Sequence, residues 1–117
     1  MKIDRVRGEA VGRNTSSAYK DLVWTVATAT DTGLDLLGQT AQALDMIQHS
    51  LVELGSDKSR IISAQVFLSD ISNKPLMDTV WNNWIGPDSE NWPQRACLGV
   101  DLEAGYLIEI VVTAARD

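Results

Sequence analysis

The sequence holds one cysteine, Cys97, one histidine, His49, and one phenylalanine, Phe67, in 117 residues. A single cysteine excludes an intrachain disulfide and a multi-cysteine zinc site. The lone histidine lies between Gln48 and Ser50, with no metal-ligand spacing around it and no Ser-His-Asp cue, and reads as a surface residue. A glycine-rich phosphate loop is also missing. Triad hydrolases, zinc enzymes and nucleotide-binding enzymes therefore leave the short list, and neither metal nor cofactor is expected. Positive charge is scarce, with 10 Lys+Arg against 16 Asp+Glu and a net charge of −6. The basic residues crowded near the start (Lys2, Arg5, Arg7, Arg13, Lys20) are interleaved with Asp4 and Glu9. A polyanion partner needs a basic footprint, so nucleic-acid binding is not expected. No apolar run approaches the length of a membrane span. The opening Met-Lys-Ile-Asp-Arg-Val-Arg lacks the apolar core of a secretory signal. The expected location is the cytoplasm, without a membrane partner.

What is present reads as one globular domain over 1–117, at 44% hydrophobic and 22% charged residues. Lys2 to Val11 alternates loosely as a strand. The turn formers Gly12 to Ser17 follow, and then a short strand around Ala18 and Tyr19. Lys20-Asp21 makes a hairpin turn into Leu22–Ala29, whose β-branched and aromatic residues suit a partly buried strand. The strongest helix is predicted from Asp35 to Leu54. Leu37, Ala41, Leu44, Ile47 or Gln48, Leu51 and Leu54 draw its apolar stripe, and Gly55 stops it. Arg60 to Ser69 alternates as a strand, with Ile62, Ala64, Val66 and Leu68 on one face and Ile61, Ser63, Gln65 and Phe67 on the other. A second helix is capped by Asn73 and carries Pro75 in its first turn. It buries Met77, Val80, Trp81 and Trp84 and ends at Gly86-Pro87. Two last strands, about Arg95 to Asp101 and Tyr106 to Ala115, are joined through Glu103-Ala104-Gly105. This order fits an α+β layer, one sheet with two helices on one face. The other face, bearing Phe67, would stay uncovered in a monomer, so oligomerisation is expected.

Chemistry concentrates in the last two strands. Arg95 stands at the start of one of them after Trp92-Pro93-Gln94, and its planar fork matches a carboxylate bidentately. Glu109 lies in the apolar run Leu107 to Val112, where a carboxylate is either solvated or buried with a partner. From the residues alone, a structural ion pair between adjacent strands is the first reading of Arg95 and Glu109, ahead of a functional site. Cys97 points to the same side as Arg95 by alternation, and no base is evident to activate it.

Pro93-x-Arg95-x-Cys97, followed by Ile108-Glu109-Ile110, resembles the C-terminal signature of the Rid (reactive intermediate deaminase, YjgF/RidA-like) family. Val23–Ala29, the helix beginning near Gln39-Thr40 and the strand end Val66 to Asp70 fall in register with it, so the resemblance covers nearly the whole chain. It implies a chorismate-mutase-like fold, a mixed sheet with two helices on one face, and a homotrimer with clefts between subunits. It also implies hydrolysis of imines and enamines from amino-acid metabolism to 2-oxo acids and ammonia. On that basis Arg95 would bind the carboxylate of a small metabolite and Glu109 would position or activate water. Cys97, Tyr19, Ala27 and Asp78 would line the pocket. An imine carbon is already electrophilic, so orientation and modest acid–base help suffice. Three positions depart from the family pattern. Val26-Ala27 stands where Ser-Gly is frequent, Asp78 replaces an asparagine, and Gln94 precedes the arginine where a small residue is usual. A non-catalytic trimer sensing a 2-oxo acid is the second reading. Ribonuclease activity, a third, conflicts with the acidic balance.

Overall fold

The computed structural model describes residues 1–117, which form six strands and two α-helices. In chain order these are β1 (Asp4–Val6), β2 (Ser16–Tyr19), β3 (Leu22–Thr28), α1 (Leu36–Glu53), β4 (Ile61–Leu68), α2 (Lys74–Ile85), β5 (Gln94–Gly99) and β6 (Ile108–Ala115). The strands make one mixed sheet in the order β1-β2-β3-β6-β4-β5. Every neighbouring pair is antiparallel except β4 and β5. No helix is long and apolar enough to cross a membrane.

The predicted α1 and its boundaries match the structure. Asp35 caps it by accepting from the Gly38 amide, and Gly55 just beyond it takes the left-handed conformation, φ +87°. The buried face, however, is rotated from the predicted stripe. Leu37 and Ala41 are exposed, whereas Leu36, Gln39, Thr40, Ala43 and Ser50 are buried beside Leu44, Ile47 and Leu51. The three large apolar residues are fully buried and together stabilise docking by roughly 5–9 kcal/mol. An isolated helix of this length is marginal in water, so packing rather than propensity holds it.

In β3, Val23, Thr25 and Ala27 face the helices while Trp24 and Val26 turn outward, and Ile108, Ile110, Val112 and Ala114 of β6 continue the inner face. The alternation in β4 breaks at a bulge between Ile61 and Ser63. Ile61 enters the core and Ile62 is exposed, the reverse of the strict two-residue pattern; the extra residue shifts the register once. The N-terminal strand is shorter than expected and spans Asp4–Val6 only. The larger correction concerns the last two strands, which are not neighbours. β6 inserts between β3 and β4, and β5 runs parallel to β4 on its far side. The segment between them crosses the end of β4, where Val100 donates to the Leu68 carbonyl and the Ser69 amide to the Leu107 carbonyl. Both helices lie on one face of the sheet. The other face bears Trp24, Val26, Phe67 and Val111 with no element of this chain over them.

Candidate functional site

Because β4 lies between them, β5 and β6 cannot hold Arg95 and Glu109 as an ion pair. Arg95 pairs with Ala64, which in turn pairs with Val112; Glu109 pairs with Phe67 and Thr28. Ala64 is a core residue on the helix side, and the Arg95 side chain reaches α2 on that same side. Glu109 alternates with the buried Ile108 and Ile110 and so faces the uncovered side. Within one chain the sheet separates the two groups.

Arg95 is instead paired with Asp78. Its Nη2 donates to Asp78 Oδ1 at 2.5 Å, and the guanidinium lies over the Trp81 ring, 5.1 Å from its centroid. Nη1 also approaches the Met77 sulfur at 3.8 Å. The other carboxylate oxygen of Asp78 accepts from Lys74 Nζ at 2.7 Å, one helical turn earlier. Burial alone would raise the Asp78 carboxyl pKa, but the hydrogen bonds and positive charges of Lys74 and Arg95 outweigh it. The net shift is downward from 3.8. A carboxylate with a depressed folded-state value stabilises the fold fully above its unfolded value. That contribution is lost as pH falls through the folded value. Wild type is therefore expected to exceed Asp78→Asn in stability by about 1 kcal/mol at pH 7. The gap should close as pH drops below 3.8. Urea unfolding at pH 7 and pH 3 measures both; a gap constant with pH would contradict the assignment.

Arg95 and Asp78 border an open groove of about 780 Å³ that runs between the end of α2 and Trp92-Pro93. Trp92 is half exposed, and its indole is fixed by donating from Nε1 to the Gly86 carbonyl at 2.8 Å. Glu109 lies in a different concavity, of about 270 Å³, on the uncovered side. Val26, Ala27 and Thr28 line it from β3, and Tyr106, Arg13 and Glu103 from the loops.

The other expected site residues divide between these places. Ala27 meets the Glu109 concavity, although it belongs to the core and pairs with Ile110. Cys97 follows Arg95 on the helix side and packs against the core, lining neither concavity. Burial pushes its thiol pKa up, against the lowering effect of Arg95 and Lys74. A protonated, half-buried thiol is a poor nucleophile. Tyr19 is a correction. It pairs with Leu22, at the opposite end of β3 from the Thr28 that faces Glu109, and so cannot wall that concavity. The aromatic residue there is Tyr106, and the N-terminal residues there are Glu9, Arg13 and Asn14. Sequence reading passed over them because irregular loops give no periodicity to place a side chain.

Gln39 holds the loop that carries Tyr106. It is fully buried; its Nε2 donates to the carbonyls of Leu34 (3.1 Å) and Gly105 (3.0 Å) and, at 3.4 Å, Thr32, while its Oε1 accepts from the Leu107 amide at 3.0 Å. One amide thus ties the start of α1 to the turn before β6.

Known proteins similar to this chain agree with the fold. The family model described as Endoribonuclease L-PSP matches residues 25–116. A RutC family protein from Haemophilus ducreyi is 37% identical over 87 residues, 74% of this chain and 73% of its own. The RutC family protein YoaB of Escherichia coli K12 is 33% identical over 82 residues, covering 69% of this chain and 70% of that one. Among solved structures, a YjgF family member from Neisseria meningitidis superposes with a TM-score of 0.90 at 27% identity. That match covers 100% of this chain and 97% of the other. A six-stranded mixed sheet under two helices, with a family-model match over most of the chain and these relatives, establishes that the chain belongs to the Rid/YjgF (L-PSP) family.

Proposed function

We propose that this protein hydrolyses reactive imines and enamines of amino-acid metabolism to 2-oxo acids and ammonia, at clefts between the subunits of a homotrimer. The observation that carries this reading is the placement of Arg95 and Glu109 on opposite faces of one sheet, each bordering an open concavity. Two groups separated in this way act on one small molecule only if two copies meet, the Arg95 side of one against the Glu109 side of the next. The uncovered apolar face with Trp24, Val26, Phe67 and Val111 supports such an association.

In the assembled cleft the free edge of the Arg95 guanidinium holds the substrate carboxylate, which fixes the imine carbon. Glu109 accepts a proton from water as its oxygen adds to that carbon, giving a carbinolamine. Glu109 returns that proton to nitrogen and, as ammonia leaves, takes up the hydroxyl proton of the carbinolamine while the carbonyl forms. A protonated imine and water thus give the 2-oxo acid and, once Glu109 releases the last proton, ammonium. Carbon, nitrogen and the two water hydrogens are all accounted for without an external reductant or oxidant.

The pairing of Arg95 with Asp78 favours a second reading, a non-catalytic trimer that binds a small metabolite, since the anchor is already partly engaged. Endonuclease action, named in the description of the family model, has less support. Glu9, Glu103 and Glu109 face Arg13 in one concavity, an acidic setting for a phosphodiester backbone. The test is ammonia release from 2-iminopropanoate and 2-iminobutanoate generated in situ. The enzyme reading expects release well above buffer. Release at the buffer rate for every small imino acid, with a 2-oxo acid still bound, selects the sensor.

A further inference from the structure

The Arg95 anchor carries its own carboxylate. Asp78 binds Arg95 Nη2 through one oxygen and Lys74 Nζ through the other, so both oxygens are committed to cations. The side chains of Arg95 and Asp78 are 15% and 24% exposed, sheltered enough for the charges to be felt, while Lys74 at 43% is half in solvent. Arg95 makes no other hydrogen bond except the weak one to the Met77 sulfur. A guanidinium has five N–H donors and two bidentate edges. Asp78 takes a single donor and leaves one edge open.

A ligand carboxylate on that open edge must share the guanidinium with Asp78. Two carboxylates on one guanidinium lie within about 5 Å of each other and repel, the more so where water is partly excluded. The identity of the neighbouring group on the ligand then decides the balance. A 2-oxo acid turns a second acceptor toward Asp78, whereas a carboxylate with nitrogen on the adjacent carbon turns a charged N–H donor toward it. Repulsion of the wrong ligand and attraction of the right one come from the same side chain.

We propose that Asp78 is a specificity-determining residue that makes the Arg95 site prefer carboxylates bearing a protonated nitrogen on the adjacent carbon over the matching 2-oxo acids. The proposal rests on Arg95 being the carboxylate anchor of the proposed reaction. In that setting it separates substrate from product, because hydrolysis replaces the N–H donor by a carbonyl oxygen and so weakens the product's hold. Lys74 tempers the effect by drawing part of the Asp78 charge to itself. Removing Lys74 should therefore sharpen the preference, and neutralising Asp78 should abolish it.

The test is equilibrium binding of two stable probes, L-alanine and pyruvate, to the assembled wild-type protein, Asp78→Asn and Lys74→Gln at pH 7.5. Wild type is expected to favour alanine over pyruvate. In Asp78→Asn pyruvate should bind roughly tenfold tighter and alanine more weakly, reversing the order. In Lys74→Gln pyruvate should weaken further, and raised salt should shrink every difference. An alanine-to-pyruvate ratio unchanged by Asp78→Asn overturns the proposal. So does the same direction of change in both variants, or binding of neither probe to any of the three proteins. Binding requires no turnover, so the outcomes separate. A ratio that shifts in a protein without imine hydrolysis removes the enzyme reading alone. Hydrolysis with an unshifted ratio removes the role of Asp78 alone.

Discussion

Arg95→Ala is expected to lower kcat/KM for imine hydrolysis by roughly 10²- to 10⁴-fold, because a carboxylate loses two charge-assisted hydrogen bonds of about 1.5–3 kcal/mol each. The substitution also leaves Asp78 with Lys74 as its one cationic partner, so some loss of stability accompanies the loss of activity. Arg95→Lys separates these effects. It returns a positive charge near Asp78 but not the planar fork, and should recover stability more fully than kcat/KM. Glu109→Gln should act differently, lowering kcat by about 10²-fold or more with little change in KM, as befits a group that handles the proton rather than the carboxylate. Steady-state kinetics on 2-iminopropanoate distinguish the two patterns. Full activity in Arg95→Ala would remove the anchor.

The second large effect concerns Gln39. Replacing it by leucine keeps the approximate volume but strips the partners from the Leu107 amide and from the Leu34 and Gly105 carbonyls, around a side chain that is itself fully buried. A buried amide left without a partner costs about 1–3 kcal/mol, and the carbonyls of the exposed Leu34 and Gly105 cost less, so Gln39→Leu is expected to lose roughly 3 kcal/mol of stability. For a domain of ordinary stability that is a large fraction of the total. The damage should be greatest at the turn before β6, which carries Tyr106 beside Glu109. Urea unfolding gives the total, and hydrogen exchange at the Leu107 amide reports the local part. A loss below 1 kcal/mol with unchanged Leu107 protection would contradict the network.

Gln39 also shows where sequence reading stops. The spacing of Leu44, Ile47 and Leu51 located α1 and its cap, since apolar periodicity and Gly55 are local signals. The same pattern placed Leu37 and Ala41 inward, when Gln39, Thr40 and Ser50 take those places. Buried polar residues are satisfied by partners far along the chain, and Gly105 is 66 residues from Gln39. Periodicity carries no trace of such a bond. Strand existence was readable in β3, β4 and β6; strand order was not. The turn formers Glu103-Ala104-Gly105 between the last two strands suggest a hairpin, but the segment 100–107 crosses the end of β4 and sets that strand between them.

The site followed the same division. Arg95 and Glu109 stand out in sequence because a charge in an apolar strand must be explained. Sequence alone reads them as a pair on neighbouring strands, and the strand order separates them. Asp78, 17 residues before Arg95 on α2, is the actual partner; that contact spans a helix and a strand and has no local signature. The ring of Tyr19 and its position near the N-terminus suggest a pocket wall, but antiparallel pairing carries it to the far end of β3. Faces and registers decided these questions, and a single slip of either reassigns every side chain along a strand.

The most direct test of the central claim is complementation between two inactive variants. Arg95→Ala and Glu109→Gln subunits, each inactive alone, are unfolded, mixed in equal amounts and refolded together. If each cleft takes Arg95 from one subunit and Glu109 from its neighbour, random assembly leaves about a quarter of the clefts with both groups intact. Imine hydrolysis should then return to about a quarter of the wild-type rate refolded in the same way, in a species of trimeric mass. A mixture that assembles to that mass and stays as inactive as either parent would contradict the shared site.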